Sequence, residues 1–300
     1  MIPMRPRPRV PAPRPRASWY DAADMTLCIG ALSDVTGASP SIVLCFDTKV
    51  ANEAFGSESE YKFYPLSKQF VALVAGRPGR SKELATIYQE RLLTADLSHA
   101  TYLDALREPL QIIKKRHAAA YIGRCLGFPY DDFLNNGDKW LGKERMDKYL
   151  ADIEENAIGV SMILAGFIGN KPILCELRDD GIEDVTNFCL IGTGVHSAEP
   201  ALHARTQVRQ MPLADTMYNV YEAKKAGESS PYVGASTRMY IIHPANEKSE
   251  GHIRAQLVTP TGKKFLDGLY KRYGPKPVKG SLQLPEGSLE TGFFNFPKGY

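Results

Sequence analysis

Short apolar runs separated by turn-forming residues begin at residue 26 and predict β-strands. Four such runs come first, and Gly, Ser and Pro lie between the first two, which is typical of hairpin loops. Their sequences are TLCIGAL at 26–32, IVLCFDTKV at 42–50, YKFYPL at 61–66 and FVALVAG at 70–76. We therefore predict a sheet built from consecutive hairpins at the start of the folded region.

Helical periodicity follows these strands. Apolar residues recur on one face of 81–93, and the same pattern continues over 101–123, where Pro109 is expected to kink the helix. The segment FPYDDFLNNGDKW, at 128–140, is interpreted as a loop-rich insert. A further helix is expected around 142–155.

Strands and helices then alternate in blocks to the end of the chain. We predict strands at 159–168, 171–177, 187–192, 236–243 and 252–258, and helices at 197–209, 212–226 and 263–273. Because strands and helices are grouped rather than strictly alternating, the order favours an α+β fold over a doubly wound parallel sheet. The expected architecture has two sheets stacked between layers of helices.

The composition divides the chain into three parts. Prolines at nearly every second position of RPRPRVPAPRPR remove backbone donors and fix φ, so residues 1–25 are predicted to be a disordered leader or propeptide. Residues 26–273 are expected to form one folded domain, with a helical insert near 124–150. The last segment, 274–300, is a Pro/Gly-rich C-terminal arm.

The net positive charge of the chain comes from the leader. The net charge is +3, from 37 basic and 34 acidic residues, and the leader holds five arginines and two aspartates. The remainder is therefore neutral by count. A basic tail can bind nucleic acid, but this one has no aromatic residue before Trp19, which does not favour that function.

No sequence segment predicts export, a membrane span or a cofactor. The chain lacks a run of about 18 apolar residues and the apolar core of a signal peptide, so a cytoplasmic location without a membrane partner is expected. Five cysteines without a CxxC spacing are interpreted as reduced core thiols. His196 and His203 have a metal-like spacing but no evident third ligand, so no metal or organic cofactor is predicted.

Motif searches exclude several common enzyme classes. The sequence contains no GxxxxGKS/T, no GxGxxG after the first strand, no HExxH and no GxSxG. These absences leave no motif for a nucleotide-binding loop, a zinc peptidase or a serine nucleophile elbow.

The remaining arrangement that can carry chemistry centres on Thr26, Asp47 and Lys62. A threonine hydroxyl is a weak nucleophile, and the chain's own α-amino group, with a pKa of about 7.7 to 8.0, can act as its base if Thr26 is the first residue. A lysine ammonium favours the ionised hydroxyl, and a carboxylate holds the lysine. Each residue is also ordinary at a strand end, so the residues alone leave a purely structural role open.

Three segments in order, TLCIGAL, IVLCFDTKV and YKFYPLSKQFVALVAG, resemble the β-type subunits of proteasomes and their bacterial, Anbu-like homologues. In that family a processed Thr opens the first strand, an Asp follows the second, and a Lys precedes a Gly by fourteen positions. Lys62 and Gly76 have this spacing. The resemblance covers about 26–243, apart from the insert, and implies a four-layer αββα sandwich of the N-terminal-nucleophile hydrolases.

The resemblance also implies roles for individual residues. Thr26 corresponds to the nucleophile, Asp47 and Lys62 to its charge partners, and the backbone N–H of Gly76 to an oxyanion donor. Two further correspondences concern the substrate. Val50 and Ala51 would offer backbone groups to an extended peptide, and Val74 would form the floor of the specificity pocket.

Two motifs depart from the family pattern. Gly192-Thr193-Gly194-Val195 stands where the family has Gly-Ser-Gly-Ser, so Thr193 replaces one supporting hydroxyl and the other is missing. The segment SSPYVGASTRMYII stands where the family has Asp-x-x-Ser-Gly before a strand, and Ser236 is the candidate for that serine. A catalytically inactive ring subunit is therefore kept as the alternative. Cys28 and Cys45 lie within apolar strands, which disfavours a thiolate nucleophile.

The expected function is that of a threonine-type endopeptidase acting on peptides or unfolded proteins. The family assembles into rings, so a homo-oligomer is implied, and any ATPase unfoldase has to be a separate chain. The mechanism requires a free amine at Thr26. Either residues 1–25 are removed by self-cleavage, or translation starts at Met25 and that methionine is trimmed.

Overall fold

The computed structural model describes residues 26–34, 40–51, 56–58, 62–95, 97–155, 158–274 and 282–292. The predicted leader, 1–25, lies outside these described residues. So does the end of the C-terminal arm, 293–300.

Thirteen strands and seven α-helices, numbered in chain order, form the described part of the chain. The strands are β1 Cys28–Ser33, β2 Ser41–Asp47, β3 Lys49–Ala51, β4 Gly56–Glu58, β5 Phe63–Pro65, β6 Phe70–Gly76, β7 Val160–Ile168, β8 Lys171–Arg178, β9 Gly181–Asp184, β10 Phe188–Ile191, β11 Thr237–His243, β12 Arg254–Val258 and β13 Leu289–Gly292. The helices are α1 Pro78–Thr94, α2 Tyr102–Leu126, α3 Tyr130–Leu141, α4 Lys143–Glu155, α5 Val195–Ala204, α6 Leu213–Gly227 and α7 Pro260–Tyr273.

The strands form two large antiparallel sheets and one small one. The six-stranded sheet has the order β10-β1-β2-β11-β12-β13, and the five-stranded sheet has the order β5-β6-β7-β8-β9. Strands β3 and β4 pair separately. Antiparallel pairing with grouped helices confirms the predicted α+β class.

The two large sheets share one apolar core, and two further apolar clusters each join helices to one of the sheets. Leu44 of the six-stranded sheet and Leu73 and Leu174 of the five-stranded sheet belong to the shared cluster. A second cluster joins α1 and α2 to the five-stranded sheet, and a third joins α5, α6 and α7 to the six-stranded sheet. Strand β6 contributes to two of these clusters, because successive side chains of a strand point to opposite faces of the sheet.

The expectation of one sheet from consecutive hairpins is wrong. The first hairpin, β1 and β2, belongs to the six-stranded sheet, whereas β5 and β6 belong to the other. The predicted strand 42–50 is also divided at Thr48, after which β3 pairs with β4. The first two predicted strands and the next two therefore belong to different sheets.

The segment 128–140 is mostly helical rather than loop-rich, which corrects the expectation for this part of the insert. Helix α3 begins after Pro129 and carries Asp131 and Asp132 in its first turn, where carboxylates interact favourably with the helix dipole. Gly137 lies inside the helix and packs on the ring of Phe133, so the Asn-Asn-Gly sequence is not a turn.

Two details add to the predicted elements. Pro109 lies inside α2, which is continuous from Tyr102 to Leu126. Part of the C-terminal arm is ordered as strand, because β13 pairs with β12 at the edge of the six-stranded sheet. None of the helices in the described ranges is long and apolar enough to cross a membrane.

We predict that Gly30→Val destabilises the protein by forcing the sheets apart. A Cβ atom at Gly30 would lie 3.0 Å from Ile163 Cγ2 and 3.0 Å from Leu174 Cδ1, both on the facing sheet. Overpacking of this kind costs about 1–3 kcal/mol of unfolding free energy, measurable by urea denaturation. In the control, Gly181→Ala, the added Cβ meets no atom within 4 Å, so its unfolding midpoint should stay near that of the wild type. Equal midpoints for the two variants would contradict the prediction.

Candidate active site

Strand pairing brings Thr26 next to Asp47. Thr26 and Leu27 directly precede β1, and Asp47 is the last residue of the antiparallel neighbour β2, where Cys28 is opposite Phe46. The backbone N–H of Asp47 donates to the carbonyl of Leu27 at 3.2 Å, which continues the ladder beyond the strand. The start of one strand and the end of the other therefore lie side by side.

Lys62 reaches the same place from the five-stranded sheet. It immediately precedes β5, and its carbonyl accepts a 2.9 Å hydrogen bond from the N–H of Val74 on β6. This contact fixes the backbone of Lys62 at the edge of the second sheet. Its side chain spans from there to the two residues of the first sheet.

The three polar groups form a closed set of contacts. The hydroxyl of Thr26 donates to Asp47 Oδ1 at 2.7 Å, and Lys62 Nζ donates both to Thr26 Oγ1 and, at 2.7 Å, to Asp47 Oδ1. All three residues are buried, with exposed fractions of 3%, 0% and 5% for Thr26, Asp47 and Lys62. The hydroxyl thus lies between an ammonium and a carboxylate away from bulk water.

Backbone N–H groups complete the surroundings of the Asp47 carboxylate. The N–H of Leu27 donates to Oδ1 at 2.9 Å, and the N–H of Gly234 donates to Oδ2 at 3.0 Å. A buried carboxylate is costly unless it is paired and hydrogen-bonded, and these donors together with Lys62 meet that requirement. The Asp47 carboxylate is therefore held in a fixed orientation. No sequence signal pointed to Gly234, because any residue except proline offers the same backbone donor.

The turn at 192–194 closes around the carbonyl of Thr26. The N–H of Gly194 donates to that oxygen at 3.2 Å. Gly192 has φ +99°, and a Cβ there would overlap the same carbonyl, so the close approach requires glycine. Between them, the hydroxyl of Thr193 is buried and has no hydrogen-bond partner among the described residues. Thr193 is thus part of the turn that contacts Thr26, but its hydroxyl is not bonded to Thr26.

Gly76 ends β6 in a conformation that other residues rarely adopt. Its φ is +110°, and a Cβ at this position would overlap the carbonyl of Gly159, the residue before the paired strand β7. The adjoining Arg77 N–H donates to that same carbonyl at 3.1 Å. The backbone at the end of β6 is therefore fixed in an orientation that only glycine accepts without strain.

The residues predicted to meet a substrate lie at different depths. Val74 is 4% exposed, packs in the core between β6 and α1, and its carbonyl accepts from the thiol of Cys28 at 3.5 Å. Val50 and Ala51 lie in β3, opposite Ser57 and Gly56 of β4. One edge of β3 is thereby already paired. Ser236 is half-buried directly before β11, and no hydrogen bond joins its hydroxyl to Thr26 among the described residues.

The cysteines near the site are poor nucleophiles. Burial raises the pKa of Cys28 to about 12, although the Lys62 ammonium acts in the opposite direction. Burial likewise raises the pKa of Cys45 to about 12. Both thiols are protonated at neutral pH, which agrees with the expectation that neither acts as a thiolate.

His196 and His203, which have a metal-like spacing in the sequence, lie in different surroundings. His203 lies 3.8 Å from Glu199 and against the ring of Phe188, while His196 is exposed. The described residues include no group of three His, Cys, Asp or Glu side chains that could hold a metal ion.

We predict that iodoacetamide at pH 8 modifies only Cys125 in the native protein. Cys125 is exposed, whereas the other four cysteines are buried, and burial raises their thiol pKa values far above 8. Mass spectrometry should show one added carbamidomethyl group on the native protein and five after denaturation. Rapid native labelling of Cys28 would contradict its assignment as a protonated core thiol.

Comparison with known proteins assigns no family to this chain. No protein-family model matches it, and no curated protein matches it significantly.

Proposed function

We propose that this protein is a threonine-type amide hydrolase in which Thr26 is the nucleophile. The observation that carries the proposal is the contact of the Thr26 hydroxyl with both the Lys62 ammonium and the Asp47 carboxylate in a buried site. A cation beside a hydroxyl stabilises the developing alkoxide, and the carboxylate keeps the cation in place. An ion pair that served only to join the two sheets would not require a hydroxyl in contact with both of its charges.

The base in this mechanism is the α-amine of Thr26. It takes the hydroxyl proton as Oγ1 attacks the amide carbon, and it returns that proton to the departing amine. Water then hydrolyses the ester on Thr26 and regenerates the hydroxyl. While residue 25 is attached, the nitrogen of Thr26 belongs to a peptide bond and cannot accept a proton, so cleavage before Thr26 has to precede the reaction.

The negative oxygen of the tetrahedral intermediate is assigned to the backbone N–H of Gly76. The support is the constrained glycine conformation at the end of β6, two residues after Val74, whose N–H donates to the carbonyl of Lys62. Preorganised backbone donors of this kind typically contribute about 10²–10³ in rate. Val50 and Ala51 are assigned to backbone pairing with the substrate, and Val74 to the specificity pocket.

The wider proposal is a proteasome-like, four-layer αββα fold. It rests on the three apolar cores, one between the sheets and one on each outer face under helices. Under this proposal the protein forms a homo-oligomeric ring in the cytoplasm, acts on peptides or unfolded proteins, and depends on a separate ATPase to unfold folded substrates. Thr193 and Ser236 are assigned to support of the freed amine.

We predict that active protein begins at Thr26 and that Thr26→Ala abolishes peptide hydrolysis. Intact-mass measurement identifies the N-terminus, and an electrophile selective for N-terminal nucleophiles should add one mass increment to the wild type only. Thr86→Ala is the matched control, since Thr86 lies on the exposed face of α1. Activity in protein that retains residues 1–25, or in Thr26→Ala, would refute the mechanism. An inactive ring subunit would retain those residues and react with no such electrophile.

We predict that Lys62→Met lowers kcat by about 100-fold or more and also destabilises the fold. Removing one partner of a buried ion pair leaves the other uncompensated, at a cost of about 3–5 kcal/mol in unfolding free energy. The double variant Lys62→Met with Asp47→Asn should recover much of that stability without recovering activity, because the unpaired charge is gone. Urea denaturation and steady-state kinetics separate the two effects.

The control for that experiment is Lys68→Met, at an exposed lysine near the start of β6. It should change neither kcat nor the unfolding midpoint. If Lys62→Met retained wild-type kcat, Lys62 would have no part in activating Thr26.

A further inference from the structure

Lys224, near the end of α6, is a fully buried lysine that no sequence motif indicated. Its exposed fraction is 0%. Its ammonium donates to Glu228 Oε1 at 2.7 Å and to the carbonyl of Gly234 at 2.8 Å. Burying an ammonium is expensive, and pairing with a carboxylate and a carbonyl offsets that cost.

Gly234, which accepts a hydrogen bond from Lys224, also donates one to Asp47. Gly234 accepts from Lys224 through its carbonyl, while its N–H donates to Asp47 Oδ2 at 3.0 Å. These two groups belong to different peptide units on either side of the Gly234 Cα. Lys224 therefore acts on Asp47 by fixing the position and orientation of the loop, not by polarising one peptide group.

The position of Lys224 is fixed because the end of helix α6 packs against Leu27, the residue after Thr26. A Cβ at Gly227 would overlap the side chain of Leu27, the residue after Thr26. Gly194, whose N–H contacts the carbonyl of Thr26, likewise has no room for a side chain beside Val233 and Leu27. The end of α6, the turn at 192–194 and the loop at 230–235 thus pack as one unit around residues 26–27.

We propose that Lys224 is a positioning residue for the Thr26 reaction, acting through Gly234 to orient the Asp47 carboxylate. With Oδ2 occupied by the Gly234 N–H, Oδ1 faces Thr26, Lys62 and the N–H of Leu27. Loss of the Gly234 contact frees the carboxylate to rotate and loosens the Lys62 ammonium from the hydroxyl. This inference rests on the proposed function for its catalytic part, whereas the contact itself can be tested without substrate.

The chain provides a matched control in the next residue. Lys225 also binds Glu228, through Oε2 at 2.9 Å, but is not among the partners of Gly234. Lys224→Met and Lys225→Met therefore each remove one cation from the same carboxylate. Of the two, Lys224→Met alone removes the donor to the 230–235 loop.

The experiment compares both variants with the wild type in two measurements. Hydrogen exchange followed by mass spectrometry reports on the 230–235 segment, and steady-state kinetics reports kcat and KM on a peptide substrate. We expect Lys224→Met to exchange about tenfold faster in 230–235, with β6 unchanged, and to lose about tenfold or more in kcat with KM within about threefold. Lys225→Met should match the wild type in both.

The outcomes separate this inference from the proposed function. Unchanged exchange in 230–235, or equal kcat for the two lysine variants, overturns the role of Lys224. A wild type without peptide hydrolysis or electrophile labelling overturns the proposed function and with it the catalytic role of Lys224, while the exchange result still decides the contact. If Lys224→Met does not fold, the double variant Lys224→Met with Glu228→Gln, which also removes the carboxylate charge left by Lys224, is compared with Lys225→Met with Glu228→Gln by the same criteria.

Discussion

The buried carboxylate of Asp47 is the constraint on which the rest of the site depends. An anion removed from water needs donors on all sides, and Asp47 takes them from the segment before β1, from Lys62 before β5 and from the loop before β11. Because Asp47 and Lys62 belong to different sheets, their ion pair also ties the two sheets together at this end. The cost of burying one charge is thus offset by contacts that fix the geometry around Thr26.

The surroundings also determine which nearby side chain can react. Cys28 and Thr26 are close to the same ammonium, but burial dominates at Cys28 and keeps its thiol protonated. The Thr26 hydroxyl, in contrast, contacts the ammonium directly. Proximity to a cation is insufficient when the group to be ionised lies inside an apolar strand, because desolvation then outweighs the charge interaction.

The sequence was sufficient to predict the α+β class and most strands, because strands and helices have local signatures. The grouping of Thr26, Asp47 and Lys62 came from their positions at strand ends together with the resemblance to proteasome β-type subunits. The sequence was insufficient for α3, whose Asn-Asn-Gly sequence resembles a turn until Gly137 is seen to pack on Phe133. It also gave no sign of the Gly234 donor or of the pairing of β13. Both depend on tertiary placement of backbone groups that every residue type possesses.

The burial of Thr26 has a consequence for when the protein becomes active. Lys62 and Asp47 already surround the hydroxyl in the continuous chain, and Thr26 is only 3% exposed. On the proposed chemistry, activation therefore needs no rearrangement of these side chains, only the breaking of one covalent bond and the access that follows. On that proposal the continuous polypeptide is an inactive precursor in which Lys62 and Asp47 already contact the Thr26 hydroxyl.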